Sequence, residues 1–85
     1  MDEEPPHLKF PPYVLRRLAR RRLTQDQVSE LVATVQPFTY SQEGEVHLGY
    51  YDPGTRLFVA IVDDIVVTVF HTRPSYIEGL KRRLK

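Results

Sequence analysis

The chain has 85 residues, 41% of them apolar and 27% charged, with a net charge of +1 and no cysteine. That length suits a single small domain with a soluble composition. The lack of cysteine excludes disulfides, thiolate chemistry and cysteine-based zinc sites. The longest nearly continuous apolar runs, residues 57–62 and 65–70, fall far short of the roughly 20 residues that span a bilayer. With an acidic start and no basic-then-apolar leader, the pattern suits a cytoplasmic protein with no membrane partner. His7, His47 and His71 lie far apart in the sequence, so no metal or other cofactor is expected.

The small net charge conceals a lopsided distribution. Residues 1–8 hold three acids and no base. Residues 9–22 hold Lys9, Arg16, Arg17, Arg20, Arg21 and Arg22 and no acid. Residues 23–72 hold seven acids against Arg56, and from residue 73 onward bases outnumber acids again. Two basic segments around an acidic middle suit an anionic partner.

Residues 1–11 are rich in acid and proline and read as a tail, in which Leu8-Lys9-Phe10 has the makings of a short edge strand. The domain proper is expected over 12–85. Pro12 suits the first turn of a helix, predicted over 12–22 with Val14, Leu15, Leu18 and Ala19 on one apolar stripe. Arg17 and Arg21 form an i, i+4 row on one flank; Arg16 and Arg20 form another. Thr24-Gln-Asp-Gln27 has the form of a capping box. It opens a second helix over 25–35 with Val28, Leu31, Val32 and Val35 toward the core, ended by Pro37.

The period then changes. Residues 37–41 and 45–51 read as strands separated by a turn. Asp52-Pro-Gly-Thr55 is a strong turn signal. Residues 56–62 and 65–72 read as buried strands joined by a two-residue Asp63-Asp64 loop. Ser75 and Glu78 suggest a second capping box and a last helix to about residue 84. The predicted class is α+β: two N-terminal helices packed on a three- to four-stranded antiparallel sheet, with a short C-terminal helix, all helices on one sheet face.

Turn lengths predict which residues oppose each other. The Asp63-Asp64 loop pairs Val62 with Ile65 and, counting back, Arg56 with His71. A two- or four-residue loop at the other turn pairs Tyr51 with Arg56. Tyr51, Arg56 and His71 should then form a row on one face at one end of the sheet, with Arg73 two residues beyond His71. A phenol, an imidazole and two guanidiniums are the groups needed to grip and cleave a phosphodiester. The plainer alternative stays open: polar strand ends, with Arg56 paired to Asp52, and solvated basic helix faces.

The order helix, "RRRLTQDQV" helix, strands, "YDPGTRLFVAIVDDIVVTVFHTRP" and basic helix resembles the RelE/ParE-like toxin superfamily. It is most similar to BrnT-type toxins and a related group of small domains. Their helix pattern H-A-x-x-R-M-x-x-R-G-I-S places Arg17 and Arg21 on its two arginines, Tyr13 on its histidine and Arg22 on its glycine. "FHTRPSYIEGLKRR" supplies Arg73, Tyr76 and Glu78 in similar order. The resemblance implies a metal-independent endoribonuclease, or a non-catalytic relative, that takes RNA or a cognate antitoxin protein. His71, Arg56, Tyr51 and Arg73 are then the catalytic candidates; Arg17, Arg21, Tyr76, Lys81 and Arg82 are the RNA-binding candidates. Exposed sheet edges in so small a chain also suit a homodimer.

Overall fold

The computed structural model describes residues 8–82. Helix α1 spans Pro12–Arg20, helix α2 Gln25–Thr34, and helix α3 Pro74–Lys81. Strands β1 (Phe38–Gln42), β2 (Glu45–Asp52), β3 (Leu57–Val62) and β4 (Ile65–His71) form one antiparallel sheet in chain order. The α+β architecture is therefore as the sequence predicts. No helix among the described residues is long and apolar enough to cross a membrane.

Local chemistry sets the helix ends. Pro12 occupies the first turn of α1, where a missing N–H costs nothing, and Val14 and Leu18 turn inward. The helix closes in a Schellman motif: Leu23 N–H donates to the Leu18 carbonyl at 2.9 Å and Arg22 N–H to that of Ala19 at 3.2 Å. Arg22 takes the left-handed position with φ 58°, where glycine is usual. The capping box of α2 forms: Gln27 N–H donates to Thr24 Oγ1 at 3.1 Å, and Thr24 N–H to Gln27 Oε1 at 2.8 Å. The second predicted box does not. Arg73 is the N-cap of α3, without a side-chain cap, because Pro74 takes the first helical turn and draws Ser75 into the helix. The predicted stretch of this helix beyond residue 82 lies outside the described residues.

The helices do not share one face. Under α1 and α2, Val14, Leu18, Val28, Leu31 and Val32 pack on Leu57, Val59, Ile61, Val66 and Val69. Under α3, Ile77 and Leu80 pack with Tyr40, Phe58 and Ala60. The sheet is thus the middle of three layers, and β3 is apolar throughout because both its faces are covered. Each fully buried Val or Leu contributes about 1.5–3 kcal/mol relative to exposure.

Residues 8–10 lie along the outer edge of β4, where the sequence suggests a short edge strand. Leu8 and Phe10 pack on the larger core, and Lys9 bridges β4 in parallel, with Lys9 N–H to Asp64 O at 2.8 Å and Val66 N–H to Lys9 O at 2.9 Å. His7 and the acids before it lie outside the described residues.

Register decides what reaches each face. The Asp63-Asp64 loop pairs Val62 with Ile65 as predicted, both aspartates having positive φ. The pairing then slips: Ile61 meets Val66, but Ala60 meets Thr68, leaving Val67 as a bulge. Without this bulge Thr68 would point beneath α1 and α2, where a hydroxyl has no partner. With it, Val69 takes that buried place and Phe70 joins Phe58 beneath α3.

Candidate functional site

The predicted row of Tyr51, Arg56 and His71 does not form. The loop between β2 and β3 comprises residues 53–56, so Asp52 pairs with Leu57 and Tyr51 with Phe58. Arg56 belongs to the loop, with φ 66°, and its N–H closes the turn onto the Asp52 carbonyl at 2.6 Å. The bulge at Val67 then pairs His71 with Leu57 instead of Arg56. Tyr51 accordingly faces α3 with Phe58, whereas His71 shares the α2 face with Leu57.

The backbones nevertheless converge. Thr72 N–H donates to the Arg56 carbonyl at 2.9 Å, and the Tyr51 hydroxyl donates to the Thr72 carbonyl at 2.9 Å. All four predicted catalytic residues therefore stand at one end of the sheet, gathered by Thr72. Their side chains are divided between its faces, and the Tyr51 hydroxyl hydrogen is held in a structural bond.

His71 opens on a cleft of about 430 Å³ between α2 and the β2–β3 loop. Its floor is Leu23, Leu31 and Leu57, and its walls carry Gln27, Glu30 and Asp52. Asp52 is engaged by its own turn, Oδ1 accepting from Gly54 N–H at 3.0 Å and Oδ2 from the Thr55 hydroxyl at 3.1 Å. The Arg56–Asp52 ion pair of the plainer alternative is not formed; Asp52 holds the turn, not the guanidinium. Among the described residues, no group of three or more His, Asp or Glu side chains is placed to hold a metal ion. The two carboxylates on its wall, Glu30 and Asp52, make the cleft itself unfavourable for an anionic phosphodiester.

The basic candidates fall on two separate surfaces. On one side of the sheet α1 packs over β4, and Arg16, Arg17, Arg20, Arg21 and Arg22 have no ion-pair partner among the described residues. Arg17 is half-buried and the other four are exposed. On the opposite face α3 runs toward β1. There Lys81 lies 4.0 Å from Glu78 and 5.3 Å over the Phe38 ring, with Arg82 beyond it. Lys81 and Arg82 thus do not extend the surface of Arg17 and Arg21.

One further residue joins the α1 surface. Tyr13 is 48% exposed, and its hydroxyl reaches the Val67 carbonyl of β4 at 3.4 Å. It precedes Arg17 by one helical turn and Arg21 by two, so all three share the flank toward β4. Tyr76, 43% exposed, stands on the other side of β4, edge-on to Phe70 at 5.6 Å. Sequence reading gave Tyr13 no binding role, although its i−4 spacing from Arg17 carried the signal. Elsewhere, burial, with the Asp64 charge adding to it, raises the Tyr50 phenol above its ordinary value of 10.0.

No protein family, curated protein or solved structure matches the chain.

Proposed function

We propose that this chain is a non-catalytic binding domain for single-stranded RNA, and that it grips the strand along the α1 flank and the outer rim of β4. The observation that carries the reading is the α1 surface: five arginines in seven residues, unpaired among the described residues, continuing a row begun by half-exposed Tyr13. Guanidiniums track a phosphate backbone, while exposed aromatic rings offer stacking surfaces that any base accepts. Tyr76 supplies a second such ring across β4. That aromatic component favours RNA over an acidic protein segment, for which charge alone would serve.

Cleavage by a RelE/BrnT-like toxin mechanism has less support. Its imidazole and phenol lie on opposite sheet faces, and the phenol is hydrogen-bonded to Thr72. Gripping without cutting is what the remaining groups can do.

The test is fluorescence anisotropy with a labelled single-stranded RNA of about 12 nucleotides, within the span such surfaces cover, titrated across a salt series. Affinity should fall with salt, and the Arg17→Ala/Arg21→Ala double variant should flatten the log–log slope by about 1.4, or roughly 0.7 for each lost phosphate contact. Absence of salt-dependent binding, or an unchanged slope in that variant, would overturn the reading. Metal-independent cutting of the RNA by the wild type, abolished in His71→Ala, would restore the endoribonuclease. Tight capture of a neutralising protein without RNA affinity would favour an antitoxin-type partner instead.

A further inference from the structure

We infer that the chain self-associates through the outer edge of β1, two copies joining antiparallel to make one continuous eight-stranded sheet. This goes beyond the RNA reading and uses the opposite edge of the molecule.

The two sheet edges are treated differently. The β4 edge carries the Val67 bulge, the Lys9 bridge at its start and the Tyr13 hydroxyl on its Val67 carbonyl. These devices are the ones that discourage edge pairing. Strand β1 has none of them. Its sequence, Phe38-Thr-Tyr-Ser-Gln42, has no charge, no proline and no bulge.

Its outward groups follow from its turn. Glu43 and Gly44 both have positive φ, 54° and 81°, in a two-residue hairpin loop flanked by the Gln42–Glu45 pair. In such hairpins the flanking pair is hydrogen-bonded, and alternate residues then turn their main-chain groups inward and outward. Phe38, Tyr40 and Gln42 therefore direct N–H and C=O toward β2, while Thr39 and Ser41 direct theirs away from the sheet. Among the described residues, those outward groups of Thr39 and Ser41 have no hydrogen-bond partner.

A second copy fits this edge. Antiparallel pairing centred on Tyr40 sets Thr39 against Ser41 of the second copy, and Ser41 against its Thr39, satisfying four N–H groups and four C=O groups of the pair as four hydrogen bonds. The side chains brought together are small hydroxyls, so no like charges oppose each other. Beside them on the same face, Val46 and Leu48 stand exposed on β2, paired with Ser41 and Thr39. Association would extend this poorly covered face into one shared between two molecules. On the other face charge is complementary. Phe38, with Lys81 above it, would oppose Gln42 of the second copy, whose neighbour across the hairpin is Glu45. The basic end of α3 thus approaches the acidic turn of the other molecule, twice by symmetry.

The experiment is sedimentation velocity on the full chain across a concentration series reaching about 1 mM, the range in which weak contacts populate. The wild type should shift from monomer to dimer. Thr39→Lys/Ser41→Lys, which sets lysines against each other across the axis, should weaken the dimer on the order of tenfold or more, with far-UV circular dichroism unchanged. Lys81→Glu should weaken it too, and adding Glu45→Lys should restore it. Amide exchange on the wild type tests the edge without substitution: the Thr39 and Ser41 amides should gain protection as concentration rises. A strict monomer throughout, a dimer indifferent to the lysine pair, or no gain in protection at those two amides would each overturn the inference.

Discussion

Replacing Arg22 with glycine should stabilise the domain. Arg22 holds φ 58° at the end of α1, where the Leu23 to Leu18 and Arg22 to Ala19 hydrogen bonds require a left-handed residue. An L-residue with a side chain pays about 1–2 kcal/mol there. Glycine avoids that penalty but makes the unfolded chain more flexible, which offsets about 0.4–1 kcal/mol. The net gain expected for Arg22→Gly is about 0.5–1 kcal/mol, or about 2–8 °C in Tm for a domain of this size. Arg22→Ala is the control, since it removes the same charge yet keeps a Cβ at positive φ. Thermal unfolding followed by circular dichroism should rank glycine above alanine, with alanine close to the wild type. A glycine variant no more stable than the alanine one would refute the assigned strain. In the RNA titration the two variants should lose affinity equally, because both lack the guanidinium.

Gly49→Ala should destabilise by about 1–3 kcal/mol in urea unfolding. A Cβ there would lie 2.7 Å from Phe38 Cζ and 3.0 Å from Phe58 Cε1, and an unchanged midpoint would contradict that packing. Tyr51→Phe should cost about 0.5–1.5 kcal/mol through loss of the hydroxyl bond to Thr72, while leaving RNA affinity intact; a loss of binding with stability unchanged would reverse the structural assignment. The Tyr50 phenol is raised above 10.0 by burial and then by Asp64. Stability associated with its protonated form is therefore whole below the unfolded value and declines as pH rises through the higher folded one. Tyr50→Phe should flatten the decline in urea stability between about pH 9 and 11, and an equally steep decline in that variant would exclude Tyr50 as its source.

Much of the architecture is legible in the residues. Helical spacing locates α1 and α2, Thr24 with Gln27 marks the start of α2, and the paired aspartates fix the β3–β4 turn. The layering is not legible by alternation, because β3 is apolar at every position and its two faces read alike. The site failed on the same ambiguity. In Val66-Val-Thr-Val-Phe70 either register buries apolar side chains, and Thr68 alone disfavours the regular one. That single hydroxyl was the available clue to the bulge, and the bulge moves His71 off the row with Arg56. The Asp52-Pro-Gly-Thr55 signal located a turn correctly but not its extent, since Arg56 also joins the loop. The α1 surface was better resolved because a helical flank depends on spacing alone, and Tyr13 follows from the spacing that groups Arg17 with Arg21.

The three-layer arrangement limits where this chain can change. With helices above and below, a substitution in the middle of β3 disturbs two interiors at once, so novelty in recognition must arise at the perimeter: the helix flanks, the loop ends and the two outermost strands. Homologues that diverge in what they recognise should differ there first, while the central strand stays aliphatic or aromatic.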